Sequence, residues 1–302
     1  MSRGDAELAE SIAAFRDRCP KPVLAAWPLA LDSAREAFRC ASMHVYPEYS
    51  RGVRTIGRLA AYAEDLAAMG ETTASAKFDW AAALPVVSPN EVITEDRCHS
   101  LLAGAGLPVA SGRLAKSENE AVEIAHAVGM PVVMKAISPQ VTHRAAAGLV
   151  ALSLASEEDV RGAWTRIEGR ARAKSVALDG LYVQKMEPGG VELLLSAFRD
   201  PDFGVMTSIG AGGVMTELID DVTLSPAPLS EAAALRALDR LRIVRGAGDA
   251  AAKKSELARC VAEFSALAAS APWRRFVLEL NPVRWSADKV AIVDGLLIIS
   301  EP

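Results

Sequence analysis

Apolar residues recur at helical spacing from Ala6 to about Arg18, gather into the short run KPVLAAW, return to helical spacing from Asp32 to Phe38, tighten again in MHVY, and resume a helix through Leu66. Strands that alternate with helices predict a parallel sheet. Two strands and three helices bury too little apolar surface to stand alone, so residues 1–70 read as an incomplete α/β piece. The stretch Glu71 to Asn90 is rich in Ala, Thr and Ser and ends in SPN, which suits a linker over 71–90.

The pattern changes after Asn90. TEDRCHSLLAGAG predicts a helix with Thr94 at its N-cap and a glycine-rich exit, followed by LPVA and a strand SGRLA. SENEAVEIAHAVG predicts a helix with Ser117 at the N-cap, Glu120 at capping-box spacing and a stop at Gly129. Strands PVVMKA, GLVAL, GLYVQKM, VELLLSAFRD and GVMTSIG follow, with the helix SEEDVRGAWTRIEGRAR among them. Antiparallel pairing is expected around the EPGG turn, Glu187 to Gly190. Helices over Ser230–Leu241 and Ser255–Ala268 and two apolar strands, RFVLELNPV and VAIVDGLLII, complete an α+β domain spanning 91–302.

At 302 residues and 51% hydrophobic composition the chain can fill two cores, the prior being about 150 residues per domain. A net charge of −5 supplies no basic field of the kind that holds nucleic acid or anionic lipid. No apolar run approaches the ~20 residues that span a bilayer, and the first residues are patterned as an amphipathic helix, so a cytoplasmic location is expected. The four cysteines, Cys19, Cys40, Cys98 and Cys260, lack metal-ligand spacing and read as reduced packing residues.

Three features carry chemistry. Lys135 ends an otherwise apolar run, where an ammonium needs an anion or a carboxylate beside it; a snorkelling edge lysine would look the same. Gly210, Gly212 and Gly213 in SIGAGGVMTE permit close backbone approach to phosphate oxygens, or a bend between strands. Glu279 and Asn281 alternate along LELNPV, and Asp294 follows VAIV on the next strand. A hairpin would gather these hard oxygen ligands for Mg²⁺, although an Asn-Pro turn and a strand-end aspartate would use the same letters.

In this order the motifs TEDRCHSLLAGAGLPV, PVVMKAISP, YVQKMEPGGVE, FRDPDFG, SIGAGGVMTELIDDV and ELNPV resemble the ATP-grasp module of the ADP-forming acyl-CoA synthetases, relatives of succinyl-CoA synthetase. Residues 20 to 68 are similar to the tail of that family's CoA-ligase lobe. The resemblance implies a mixed α/β and α+β chain: an ATP-grasp domain of two subdomains preceded by an incomplete flavodoxin-like CoA-ligase lobe. It also implies that Lys135 contacts ATP phosphates. Gln184, Lys185 and Met186 would then lie along the adenine, with backbone groups reading its edge, and Glu192 would accept from the ribose hydroxyls. Gly212, Gly213 and Glu217 would line the phosphate side, while Asn281 and Asp294, with Glu279 beside them, would hold Mg²⁺. Phosphoryl groups in the family pass through histidine on the way to an acyl phosphate and a CoA thioester, and His143 stands where its loop carries one.

The loop departs from the family pattern: His143 is followed by Arg144 and Ala145 to Ala147, without the usual Ser and Asp, and Ser225 stands where an arginine is common. The family's CoA-binding domain and principal phosphohistidine strand are not among these residues, so a CoA-binding ligase subunit in trans is expected, covering the open sheet edge of residues 1–70 and forming a hetero-oligomer. The implied activity is that of an acid-thiol ligase using ATP, Mg²⁺ and CoA on a small carboxylic acid. A nucleotide-binding assembly subunit without turnover, or a stand-alone ATP-grasp ligase joining a carboxylate to an amine, would share the motifs.

Overall fold

The computed structural model describes residues 3–69, 78–138, 147–213 and 219–301. The chain divides into two compact units, Met1–Glu71 and Thr72–Pro302. The first holds α1 (Arg3–Arg18), β1 (Ala25–Ala26), α2 (Asp32–Cys40), β2 (Val45–Tyr46) and α3 (Tyr49–Met69). β1 and β2 pair in parallel, Ala25 opposite Val45, across the α2 connection. Ala34, Ala37 and Phe38 form the buried stripe of α2, and Ala37 and Phe38 close over Met43 and Val45. β1 is shorter than its apolar run, which Pro22 and Pro28 bracket, each without an N–H to give to a ladder.

The second unit runs α4 (Trp80–Ala83), β3 (Glu91–Ile93), α5 (Glu95–Gly104), β4 (Gly112–Ala115), α6 (Glu118–Val128), β5 (Val132–Ile137), β6 (Val150–Leu154), α7 (Glu157–Ala173), β7 (Gly180–Lys185), β8 (Val191–Asp200), β9 (Gly204–Ala211), β10 (Val222–Pro226), α8 (Glu231–Arg240), α9 (Arg242–Arg245), α10 (Lys254–Ala269), β11 (Arg275–Trp285), β12 (Val290–Ile292) and β13 (Gly295–Glu301). Two antiparallel sheets result. The smaller has the order β4-β7-β5-β6; the larger runs β10-β9-β8-β11-β13-β3, with β12 also on β11. α6 and α7 bury Ile124, Trp164 and Ile167 in the core of the small sheet. α8 and α10 cover the large sheet with Leu238, Leu257, Val261 and Phe264. No helix among the described residues is long and apolar enough to cross a membrane.

Two expectations need correction. The EPGG turn does not make a hairpin, because both edges of β7 are already taken by β4 and β5. The chain instead crosses to the large sheet, where β8 pairs with β9 and β11. Gly190 (φ 83°) permits that crossing, since a Cβ there would stand 2.6 Å from the Trp285 carbonyl oxygen.

The linker read over 71–90 is also not all linker. Asp79 caps α4 by accepting from the Ala82 N–H, and Trp80, only 6% exposed, packs edge-on to Trp273 at 4.7 Å and donates to Ser270 Oγ at 2.9 Å. Two aromatics, Phe78 and Trp80, offer more apolar area than a free tether leaves in water.

Candidate functional site

The second apolar run, VAIVDGLLII, breaks at Val293–Asp294 into β12 and β13, and both halves pair with β11. The partner of Val293 across the ladder is Pro282, whose carbonyl accepts from the Val293 N–H at 3.1 Å. A proline has no N–H to return. The Val293 carbonyl is therefore left out of the ladder, and it receives two side chains from the small sheet: Lys135 Nζ at 2.9 Å and Gln184 Nε2 at 3.1 Å. One missing donor thus joins the two sheets.

Lys135 is not an edge lysine. β5 lies between β7 and β6, and the residue is 6% exposed. Its ammonium donates to Glu95 Oε1 at 2.6 Å and stands 3.9 Å from Asp294 Oδ2. Glu95, the first residue of α5, was not singled out as a functional residue by sequence reasoning. No signal in the sequence separates it from an ordinary acid at a helix start, which the helix dipole favours whether or not a partner faces it. One turn on, His99 Nδ1 lies 3.2 Å from the Tyr182 hydroxyl, and Tyr182 faces Lys135 across the β5–β7 ladder. Burial raises the Tyr182 hydroxyl well above its ordinary pKa, and the charges of Glu95 and Asp96 raise it further. The Cys98 thiol is raised by burial and then by Asp294 and Glu95, and burial pushes Cys260 up to about 12; both are inert packing thiols.

The glycine turn closes on the other side. Gly212 N–H donates to the Glu192 carbonyl at 2.9 Å, and Gly213 N–H donates to Asn281 Oδ1 at 2.9 Å. Gly213 has φ 62°, and a Cβ there would overlap Glu192 Oε2. Arg284 orients that carboxylate, with Nη2 2.5 Å from Glu192 Oε1 and Nη1 donating to the Gly189 carbonyl at 2.8 Å. The two clusters meet where Asn281 N–H donates to the Asp294 carbonyl at 3.2 Å.

Lys185 goes elsewhere. Its ammonium donates to the Val128 and Gly129 carbonyls, both at 3.3 Å, at the C-terminal end of α6, where a cation meets unsatisfied carbonyls. The Lys185 and Met186 N–H groups bond the Ser111 carbonyl at 2.8 Å and the Pro131 carbonyl at 3.0 Å. Those two N–H groups are therefore engaged within the protein and are not available to read an adenine edge. Glu187, buried beside them, accepts from Lys289 Nζ at 2.8 Å.

His143 and Glu217 lie outside the described residues. Among the described residues no group of three or more His, Cys, Asp or Glu is arranged to hold a metal. Asn281, Asp294 and Glu279 offer an amide oxygen and two carboxylates, with Glu279 two residues before Asn281 on β11. That hard-oxygen set fits Mg²⁺, which takes one or two carboxylates and completes its shell with phosphate oxygens and water.

The family model of the ATP-grasp domain matches residues 86–299. The chain is 31% identical over 216 residues to the Acetate--CoA ligase [ADP-forming] I subunit beta of Pyrococcus furiosus, covering 70% of this chain and 93% of that one. It is 32% identical over 267 residues to a Trans-feruloyl-CoA synthase of an unknown prokaryotic organism; the match covers 84% of this chain but 36% of that protein. Among solved structures, the dinucleotide forming Acetyl-coenzyme A synthetase 1 of Ca. Korarchaeum cryptofilum, in complex with coenzyme A, Ca-AMPCP and HgCl+, is 31% identical. It matches over 69% of this chain and 93% of that chain with a TM-score of 0.65.

Proposed function

Because the chain belongs to the ATP-grasp domain family, we propose that it is the nucleotide-binding subunit of an ADP-forming acyl-CoA synthetase, an acid-thiol ligase that works with a CoA-binding subunit in trans. The relative it covers almost end to end is by name a beta subunit. The observation that carries the reading is the Lys135 ammonium of the small sheet standing 3.9 Å from the Asp294 carboxylate of the large sheet, on a backbone that Asn281 holds by donating its N–H to the Asp294 carbonyl.

Lys135 neutralises phosphate oxygens, and its rigid placement lowers the entropy lost when they bind. The carbonyls of Gln184, Lys185 and Met186 accept from the adenine edge. Glu192, steadied by Arg284, accepts from ribose hydroxyls. Gly212 and Gly213 let the backbone approach the phosphates. Asn281, Asp294 and Glu279 would hold Mg²⁺, which would supply charge neutralisation at the phosphates. His143 takes the terminal phosphoryl group of ATP as ADP leaves and passes it to the carboxylate of a small acid; the CoA thiol then attacks the acyl carbon of the resulting acyl phosphate, giving the thioester and releasing phosphate.

The test is to purify the chain with a CoA-binding ligase subunit and follow ADP release. Release that requires acid, CoA and ATP together, and that Lys135→Met or His143→Ala abolishes, is expected. AMP in place of ADP, ADP release without acid or CoA, or full activity in His143→Ala overturns the reading.

A further inference from the structure

We propose that Glu95 is a positioning residue for Lys135: it holds the ammonium in place before any nucleotide arrives, so that one N–H of Nζ is kept for a phosphate oxygen. The inference rests on Lys135 being the phosphate contact.

An ammonium has three donors. Two are committed inward, to Glu95 Oε1 at 2.6 Å and to the Val293 carbonyl at 2.9 Å, while Asp294 Oδ2 at 3.9 Å is beyond hydrogen-bond reach. The side chain carrying that ammonium is long and rotatable, and it is nearly closed off from water. A lone buried ammonium is strongly unfavourable, and a carboxylate in direct contact offsets that cost while fixing the geometry.

Glu95 suits permanent burial. It is the first residue of α5, where free N–H groups and the positive end of the helix favour an anion, and its side chain is 1% exposed. It is too enclosed to touch substrate, so its effect passes through Lys135.

The helix that carries Glu95 is itself anchored to both sheets. His99 reaches the Tyr182 hydroxyl on the small sheet. On the large sheet, Gly295 lacks a Cβ just where one would stand 3.1 Å from Cys98 Sγ, 3.3 Å from Leu102 Cδ1 and 3.5 Å from His99 Cδ2. Gly295 follows Asp294 directly. One helix therefore sets both the ammonium and the backbone of the metal-side carboxylate, and Glu95 is its polar contact to the first.

A double-mutant cycle read by binding separates positioning from a merely structural pair. The full chain, Glu95→Gln, Lys135→Met and the double variant are titrated calorimetrically with the magnesium complex of a non-hydrolysable ATP analogue, with thermal unfolding measured in parallel. Glu95→Gln should weaken binding at least tenfold while leaving the folded fraction intact, and the double variant should bind no more than threefold weaker than Lys135→Met. Glu95→Asp, which keeps the charge but withdraws it by one methylene, guards against a Glu95→Gln chain that does not fold; it too should weaken binding. Parent-like affinity in either Glu95 variant, or losses that multiply in the double variant, overturns the proposal and leaves the nucleotide reading standing. A parent chain that binds no analogue overturns the nucleotide reading and the proposal with it.

Discussion

Replacing Gly213 by alanine tests whether the glycine turn serves to seat Glu192. Two costs follow from the geometry. At φ 62° a residue with a Cβ pays about 1–2 kcal/mol for left-handed backbone. The added methyl also overlaps Glu192 Oε2. That oxygen is the far end of a side chain 29% exposed, so Glu192 swings aside and gives up Arg284, a partly exposed pair whose loss costs up to about 1 kcal/mol. The sum is about 1–3 kcal/mol, or a fall in melting temperature of about 2–12 °C for a unit of this size.

Gly189 is the control. Its φ is 61°, yet no atom lies within 4 Å of a Cβ there, so Gly189→Ala carries the strain without the clash. The two variants should differ in stability by no more than about 1 kcal/mol. Their Mg-ATP affinities should diverge: displacing the carboxylate loses a charged hydrogen bond worth about 1.5–3 kcal/mol, or roughly ten- to a hundredfold in Kd. Urea unfolding and calorimetric titration on both variants give the numbers. Equal nucleotide affinities would refute the role assigned to Glu192 and its glycine.

Gly212→Ala should be worse for stability than Gly213→Ala, because its Cβ meets backbone, 2.5 Å from the Leu193 carbonyl oxygen and 2.8 Å from the Leu194 nitrogen, and β8 itself has to shift; urea midpoints rank the two. Trp80→Ala should cost about 3–5 kcal/mol, read by the same unfolding curves, if residues 78–90 belong to the second core; a loss below 1 kcal/mol would return that stretch to a tether. Asp221 concerns pH. Burial would raise its carboxyl, but the N–H groups of Arg242 and Ile243, at 2.9 and 2.8 Å, and the Arg242 guanidinium outweigh burial and hold it below the usual carboxylate range. A depressed pKa in the folded state contributes stability above about pH 4 that is lost as pH falls through the folded value, so Asp221→Asn should lower stability by about 1–2 kcal/mol at pH 7 and flatten its acid limb. An unchanged slope between pH 5 and 2 in urea titrations would contradict this.

What the chain determined by itself was local. Period and capping placed α6, with Ser117 accepting from the Glu120 N–H and Gly129 ending it, and the unbroken apolar run placed β5 as a buried strand with one charge in it. Ordered motifs over most of the chain were enough to name the ATP-grasp family. Tertiary structure decided which groups meet. Glu95 and Lys135 are 40 residues apart, and an acid at a helix start looks the same in sequence whether it faces water or an ammonium. Lys185 sits one residue from Gln184 yet points to the end of α6, because successive strand residues face opposite sides of the sheet. The EPGG turn has hairpin letters, but the two edges of β7 were already occupied, and edge occupancy is a property of the whole sheet. Pro282 shows the two levels joined: its missing N–H is written in the sequence, while the lysine and glutamine that use the carbonyl it leaves open come from a separate sheet that only folding brings alongside.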